Sequence, residues 1–183
     1  RGTHSYLMKN TVSGLGNRTL EWLISDIEAI GLIFDIEERT NALIADVRTM
    51  LDDIKTRSDA LVGERPTVLT VQKVEENAFF ARASTDLTAN IIELAGGTCL
   101  DQTYGEGQSM ELLLDMDPDY ILIIDRDNNP ADETIAALGA NPTLQSLKAV
   151  QNDHFFVLDH ASFYCGSMRT IEDVQRLADL LQG

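Results

Sequence analysis

Residues 109–125 read S-M-E-L-L-L-D-M-D-P-D-Y-I-L-I-I-D. This is a short helix, a proline turn and a buried strand. Ser109 suits a helix N-cap, because its hydroxyl accepts from the free N–H groups of the first turn. Glu111 sits where the helix dipole favours an acid. Leu112, Leu113 and Met116 give that helix an apolar face. Pro118 cannot continue it and pushes Asp117 out of the helical region. Tyr120 to Ile124 is an unbroken apolar run bounded by Asp119 and Asp125. A run apolar on both faces suits a central parallel strand covered by helices on both sides.

Upstream, residues 1–17 carry three glycines and several small polar residues, and read as an extended lead-in. From Arg18 the period becomes helical. Leu20, Leu23, Ile24, Ile27, Ile30 and Phe34 share a face, Asp26 and Glu28 lie off it, and Gly31 interrupts or bends the helix near its end. A second helix starts near Ile36 and runs through Leu43, Val47, Met50, Leu51, Ile54 and Leu61 to stops at Gly63 and Pro66. The remainder alternates. Strands are expected over Thr67–Gln72, Ala78–Arg82, Tyr120–Ile124 and Phe155–Leu158. Helices are expected over Asp86–Ala95, after Asn128-Asn129-Pro130, after Asn141-Pro142, and from Thr170 to Leu181, with Thr170 as cap. Leu100–Gly107, around Tyr104, and His160–Ser167 read as loops. Strands alternating with helices imply an α/β fold with a mainly parallel central sheet.

The 183 residues are enough for one good-sized domain, and a hydrophobic fraction of 44% can build a sizeable core. Thirty acidic against 14 basic residues give a net charge of −16, which argues against nucleic acid as a partner. No apolar stretch approaches the roughly 20 residues of a membrane span, and there is no signal peptide. The chain opens on Arg1-Gly2 without a methionine, which reads as an excised piece or a processed product. Cys99 and Cys165 have no metal spacing, and buried free thiols are a simpler reading than a disulfide.

No glycine-rich phosphate loop and no serine nucleophile elbow are present. His4, His154 and His160 lack metal spacing among themselves; His154 reads as structural or solvated. Asp117, Asp119 and Asp125 read as solvated turns flanking a strand. His160 follows a strand at its carboxyl end, where ligands of open α/β sheets collect. Next comes F-Y-C-G-S-M-R, residues 163–169, with Phe163 and Tyr164 crowded beside small residues. Arg169 stands just before the last helix, where the dipole does not favour a cation, and its fork of donors suits an anionic ligand.

In order and spacing the chain resembles the C-terminal half of the class III periplasmic binding proteins, the receptors for ferric siderophores, haem and cobalamin. The resemblance rests on L-E-W-L-I-S-D-I-E-A-I-G-L-I-F-D-I-E-E-R-T-N-A-L-I, T-D-L-T-A-N-I-I-E-L-A-G-G, S-M-E-L-L-L-D-M-D-P-D-Y-I-L-I and F-Y-C-G-S-M-R. It covers most of residues 18–182. It implies a lead-in over 1–17, a connecting backbone helix over 18–35, and a Rossmann-like α/β lobe over 36–183, with the N-terminal lobe and half of the cleft missing. The exposed cleft wall is then a surface for self-association. A substrate-binding component of an ABC importer, not an enzyme, is implied. It would be periplasmic or extracellular, lipid-anchored in its parent, and without a covalent cofactor. Its ligand would be a ferric siderophore, haem or cobalamin. Glu111 stands where the family places the glutamate that docks on the membrane permease. Arg169, Phe163 and Tyr164 match the arginine and aromatic wall of the ligand site, with His160 beside them. Met168 departs from the usual proline. The alternative is a chelatase-like or nitrogenase-like cofactor-handling domain, which wants cluster cysteines or an acid–base pair that Cys99 and Cys165 do not supply. A plain structural or interaction domain is a third reading.

Overall fold

A computed structural model describes residues 4–9, 17–60, 62–100 and 107–182. Most of the lead-in, Leu61, the loop residues around Tyr104 and the side chain of Cys165 lie outside the described residues.

Helix α1 (Leu20–Phe34) buries Leu20, Leu23, Ile24 and Ile27 at the expected spacing. Two expectations for it change. Asp26 is fully buried, because the lead-in covers it: the Tyr6 hydroxyl donates to its Oδ1 at 2.5 Å and the Lys9 N–H at 3.0 Å. That bond pushes the Tyr6 phenol up to about 12, with burial adding to it. Gly31 neither breaks nor ends the helix, which runs on to Phe34 and stops at Asp35 in the left-handed region. What needs a glycine there is the next helix, α2 (Glu37–Asp59): a Cβ on Gly31 would lie 2.2 Å from Thr40 Oγ1. The buried stripe of α2 is Thr40, Ile44, Val47, Ile54 and Ser58, so Leu43 and Met50 stand on its exposed side.

Strand β1 (Thr67–Glu75) and β2 (Ala78–Ala81) form an antiparallel hairpin. Then come α3 (Leu87–Leu94), β3 (Thr98–Cys99), β4 (Gln108–Ser109), α4 (Met110–Met116) and β5 (Tyr120–Asp125). The chain closes with α5 (Ala131–Ala140), a 3-10 turn (Pro142–Leu144), α6 (Lys148–Gln151), β6 (Phe155–Asp159), α7 (His160–Cys165) and α8 (Met168–Gln182). The sheet order is β4-β2-β1-β5-β6, with β3 pairing the start of β1. The β3, β5 and β6 pairings are parallel, while β2 and β4 make an antiparallel edge.

β5 is central, and its side chains divide between two cores. Leu122 and Ile124 face α1, α2, α3 and α8 together with Val68, Phe156 and Leu158. Ile121 and Ile123 face the other layer with Leu69, Val71, Leu113 and Leu138. All four β5 residues are fully buried, and each contributes about 1.5–3 kcal/mol relative to exposure. An exposed ion pair such as Arg48–Glu21 contributes at most about 1 kcal/mol, so burial and not surface charge holds the sheet together.

The aspartates read as solvated turns carry structural bonds. Asp119 Oδ2 accepts from both the N–H and the hydroxyl of Thr67 at 2.8 Å, and Thr67 Oγ1 accepts the Asp119 N–H at 3.0 Å. This reciprocal clamp pins the start of β1 to the start of β5. His154 stacks on Tyr120 at 4.3 Å, with its Nδ1 3.0 Å from the Asp119 carbonyl, in keeping with a structural role.

The Gly31–Thr40 contact yields a direct check. Gly31→Ala is expected to destabilise the protein by about 1–3 kcal/mol through overpacking. Adding Thr40→Ala should recover part of that loss in urea unfolding; no loss for the single variant contradicts the close approach.

Candidate functional site

The carboxyl ends of β5 and β6 are shaped by two capping aspartates. Asp125 Oδ1 accepts the Ala131 N–H at 2.9 Å, which turns the chain sharply into α5. Between them Arg126 and Asn129 exchange backbone bonds, Asn129 N–H to Arg126 at 3.0 Å and the reverse at 3.3 Å. Asp159 Oδ1 accepts the Ala161 N–H at 2.7 Å and starts α7 directly after β6. His160–Ser167 is therefore mostly a helix and not a loop. Gly166, at φ 58°, ends it. Helix α8 begins at Met168, so Arg169 and Thr170 lie within its first turn and not before it. Thr170 Oγ1 accepts the Ser167 N–H at 2.8 Å and donates to the Ser162 carbonyl at 2.6 Å, tying α7 to α8.

Three arginines converge above α7. Arg18, just ahead of α1, is anchored by its N–H on the Thr85 carbonyl at 3.0 Å, and its guanidinium carbon lies 5.7 Å from the centre of the Tyr164 ring. Arg18 Nη1 is buried with no hydrogen-bond partner among the described residues. Arg82 follows β2 and is buried. Its Nη2 pairs with Asp86 at 2.8 Å, its Nη1 donates to Gln72 Oε1 at 2.9 Å, and its guanidinium stacks 4.7 Å over Phe163. Arg126 follows β5. Together with His160 and Tyr164 they line a cavity of about 360 Å³. A neighbouring groove of about 520 Å³ shares Arg126 and His160 and adds Asp125, Asp127 and Asp159.

The residues singled out in the sequence fall in four places. His160 and Tyr164 meet in the arginine cavity, their rings 5.3 Å apart. Phe163 is wholly buried; it backs the wall and offers no surface of its own. Arg169 lies in a third groove with Asp125, Ser162, Glu172 and Arg176. Glu111 is exposed in the first turn of α4, far along the sheet on the β4 edge. Its own backbone N–H and the Ser109 hydroxyl hold its carboxyl below the usual range, and Ser109 caps the helix as read, accepting the Leu112 N–H at 3.3 Å. β4 pairs with β2 through Ser109 and Ala78, which puts the start of α4 at the antiparallel edge of the sheet.

Arg18, Arg82 and Arg126 were not singled out by sequence reasoning. Arg126 alone carried a signal: a cation between two aspartates at the carboxyl end of the central strand. Among the described residues no group of three or more His, Cys, Asp or Glu side chains is placed to hold a metal ion, and no helix is long and apolar enough to cross a membrane.

A family model described as periplasmic binding protein matches residues 8–161. No curated protein matches the chain. Among solved structures, a periplasmic binding protein from Veillonella parvula is 28% identical with a TM-score of 0.75, over 90% of this chain and 57% of that one. A periplasmic heme-binding protein from Pseudomonas aeruginosa gives a TM-score of 0.77 at 24% identity, over 91% and 61%. An ABC-type Fe3+-hydroxamate transport protein from Saccharomonospora viridis gives 0.78 at 19%, over 94% and 60%. The last two likenesses are of fold. The chain spans about three-fifths of the length of these structures.

His160 sits amid opposing fields. Burial lowers its pKa, Arg126 and Arg82 lower it further, and Asp159 and Asp127 raise it, with a net shift below the ordinary 6.5. The imidazole is therefore neutral at pH 7, and its protonation on acidification is delayed relative to an exposed histidine. NMR titration should place the His160 midpoint below that of histidine in a short reference peptide; a midpoint above it contradicts the buried, arginine-lined surroundings.

Proposed function

The chain belongs to the periplasmic binding protein family, and on that premise we propose that it is the ligand-binding lobe of an importer's solute receptor for an anionic metal chelate. The observation that carries this is the meeting of Arg18, Arg82 and Arg126 with His160 and Tyr164 in one cavity. A chain with net charge −16 gathers few cations anywhere. Three guanidinium groups at the carboxyl ends of the strands make a local field for carboxylate or phenolate oxygens. The buried, unpartnered Nη1 of Arg18 is a donor such an oxygen would satisfy. Tyr164, half exposed, offers a ring for the apolar part of the ligand, with Phe163 behind it.

An iron siderophore with charged donors, or haem with its propionates, fits this chemistry better than an uncharged chelate. The heme-binding neighbour of the same fold is in keeping with a ligand of this class. His160 stands at the edge of the same contact surface. Arg169 is one groove away, and would meet only a ligand long enough to cross α7. A second lobe preceding the connecting helix α1 would close the cleft from the opposite side. The receptor would act outside the cell membrane, held there by a lipid anchor on its parent chain.

Glu111 is proposed as the contact with the ABC permease. It is exposed, its carboxyl is held below the usual range, and it stands at the β4 edge, where it offers a negative group to basic residues of a membrane partner.

The test is a titration of the full chain with a ferric tris-catecholate and with haem, read by Trp22 fluorescence, alongside uptake by cells carrying Glu111→Lys. Saturable quenching and an uptake defect with unchanged affinity are expected. No quenching by either chelate counts against the ligand assignment; lost affinity in Glu111→Lys counts against the docking role.

A further inference from the structure

β1 and β2 fall out of step at one place. Val71 faces Ala81 and Lys73 faces Phe80, so Gln72 is the extra residue of a β-bulge. Both polar ends of this residue turn towards the arginine cavity. Its side-chain Oε1 accepts from Arg82 Nη1 at 2.9 Å. Its carbonyl accepts from Asn129 Nδ2 at 2.6 Å. Asn129 in turn closes the backbone-bonded turn that carries Arg126. One bulged residue therefore touches the mounts of two of the three arginines, which arrive from different strands.

Each of the two mounts has further restraints of its own. Arg82 is held from the side by Asp86 and from below by Phe163, which fix its plane. Asn129 also reaches Thr134 Oγ1 at 3.3 Å, within α5. Gln72 touches Arg82 and the Asn129 that closes the Arg126 turn at once. An in-register hairpin would give the carbonyl of residue 72 no reason to leave the ladder, whereas the bulge releases it.

We propose that Gln72 is a positioning residue for ligand recognition. The β1 bulge sets the separation of the Arg82 and Arg126 guanidinium groups, and so the spacing of the anionic oxygens that the site accepts. This rests on the reading of the cavity as an anionic-chelate site. The class selected is a chelate whose negative oxygens are held apart on a rigid scaffold, which two fixed guanidinium forks can meet at once.

The experiment compares the full chain with Gln72→Met and Asn129→Ala. Gln72→Met keeps the approximate volume and the backbone carbonyl and removes the side-chain amide, the acceptor for Arg82 included; Asn129→Ala cuts the other half of the joint. Two probes are titrated, a ferric tris-catecholate bearing negative charge and an uncharged ferric trihydroxamate, with thermal unfolding in parallel. Each variant should bind the charged chelate roughly tenfold more weakly, in line with loss of a hydrogen bond to a charged group. Affinity for the uncharged chelate should stay close to wild type, while the unfolding midpoint falls modestly because each variant also removes a hydrogen bond to a buried group. Variants that keep the wild-type preference, or that lose both chelates equally, overturn the positioning role while leaving the anionic-ligand reading intact. A wild-type chain that does not prefer the charged chelate overturns that reading, and the positioning role with it.

Discussion

Burial of β5 on both faces is the constraint on which the rest depends. Ile121 and Ile123 face one core, Leu122 and Ile124 the other, so the strand can neither slip by one residue nor shift to an edge. The Asp119–Thr67 clamp then sets where β1 begins beside it. With both strands fixed, Asp125 and Arg126 emerge at one definite height beside the carboxyl end of β6. The site follows from this framework, since each of its arginines is mounted on a rigid part of it: Arg82 at the end of β2, Arg126 at the end of β5, and Arg18 tied to the Thr85 carbonyl ahead of α3.

The electrostatics run against the overall composition. An acidic chain is soluble and repels anions at long range. At short range, the cavity above α7 reverses the sign. Arg82 is buried beside Asp86, which offsets part of the cost of burying it, while Gln72 accepts from its Nη1 and the Phe163 ring lies under its face. Among the described residues, Arg18 Nη1 is a buried donor without a hydrogen-bond partner. Burial first, and then Arg126 and Arg82, lower the pKa of His160 against the pull of Asp159 and Asp127. At the other edge of the sheet, Glu111 presents the opposite charge, so the proposed ligand and partner surfaces differ both in place and in sign.

Much of the fold was legible in the chain. The stretch from Ser109 to Asp125 folds as its residues dictate, cap, turn and strand alike, because local chemistry and burial agree there. Shorter pieces were not legible. β3 and β4 have two residues each, too few to show a period, and α7 has six residues whose apolar members do not repeat. The buried Asp26 was misjudged because its cover, Tyr6, comes from twenty residues upstream. Half of the candidate site was visible as His160 and Tyr164. The arginines were not, since residues 18, 82 and 126 are brought together by strand order alone. Phe163 was recognised as part of a wall, but only packing could show that it stands behind the surface.

The central claim is that the cavity of Arg18, Arg82 and Arg126 holds the charged face of a metal chelate. The most direct measurement is anomalous diffraction at the iron edge from crystals of the full chain grown with a ferric tris-catecholate. The account predicts one iron peak above α7, with anionic oxygens of the chelate in hydrogen-bond reach of Arg18 and Arg126. An iron peak in the groove of Arg169, or on the Glu111 edge, contradicts it.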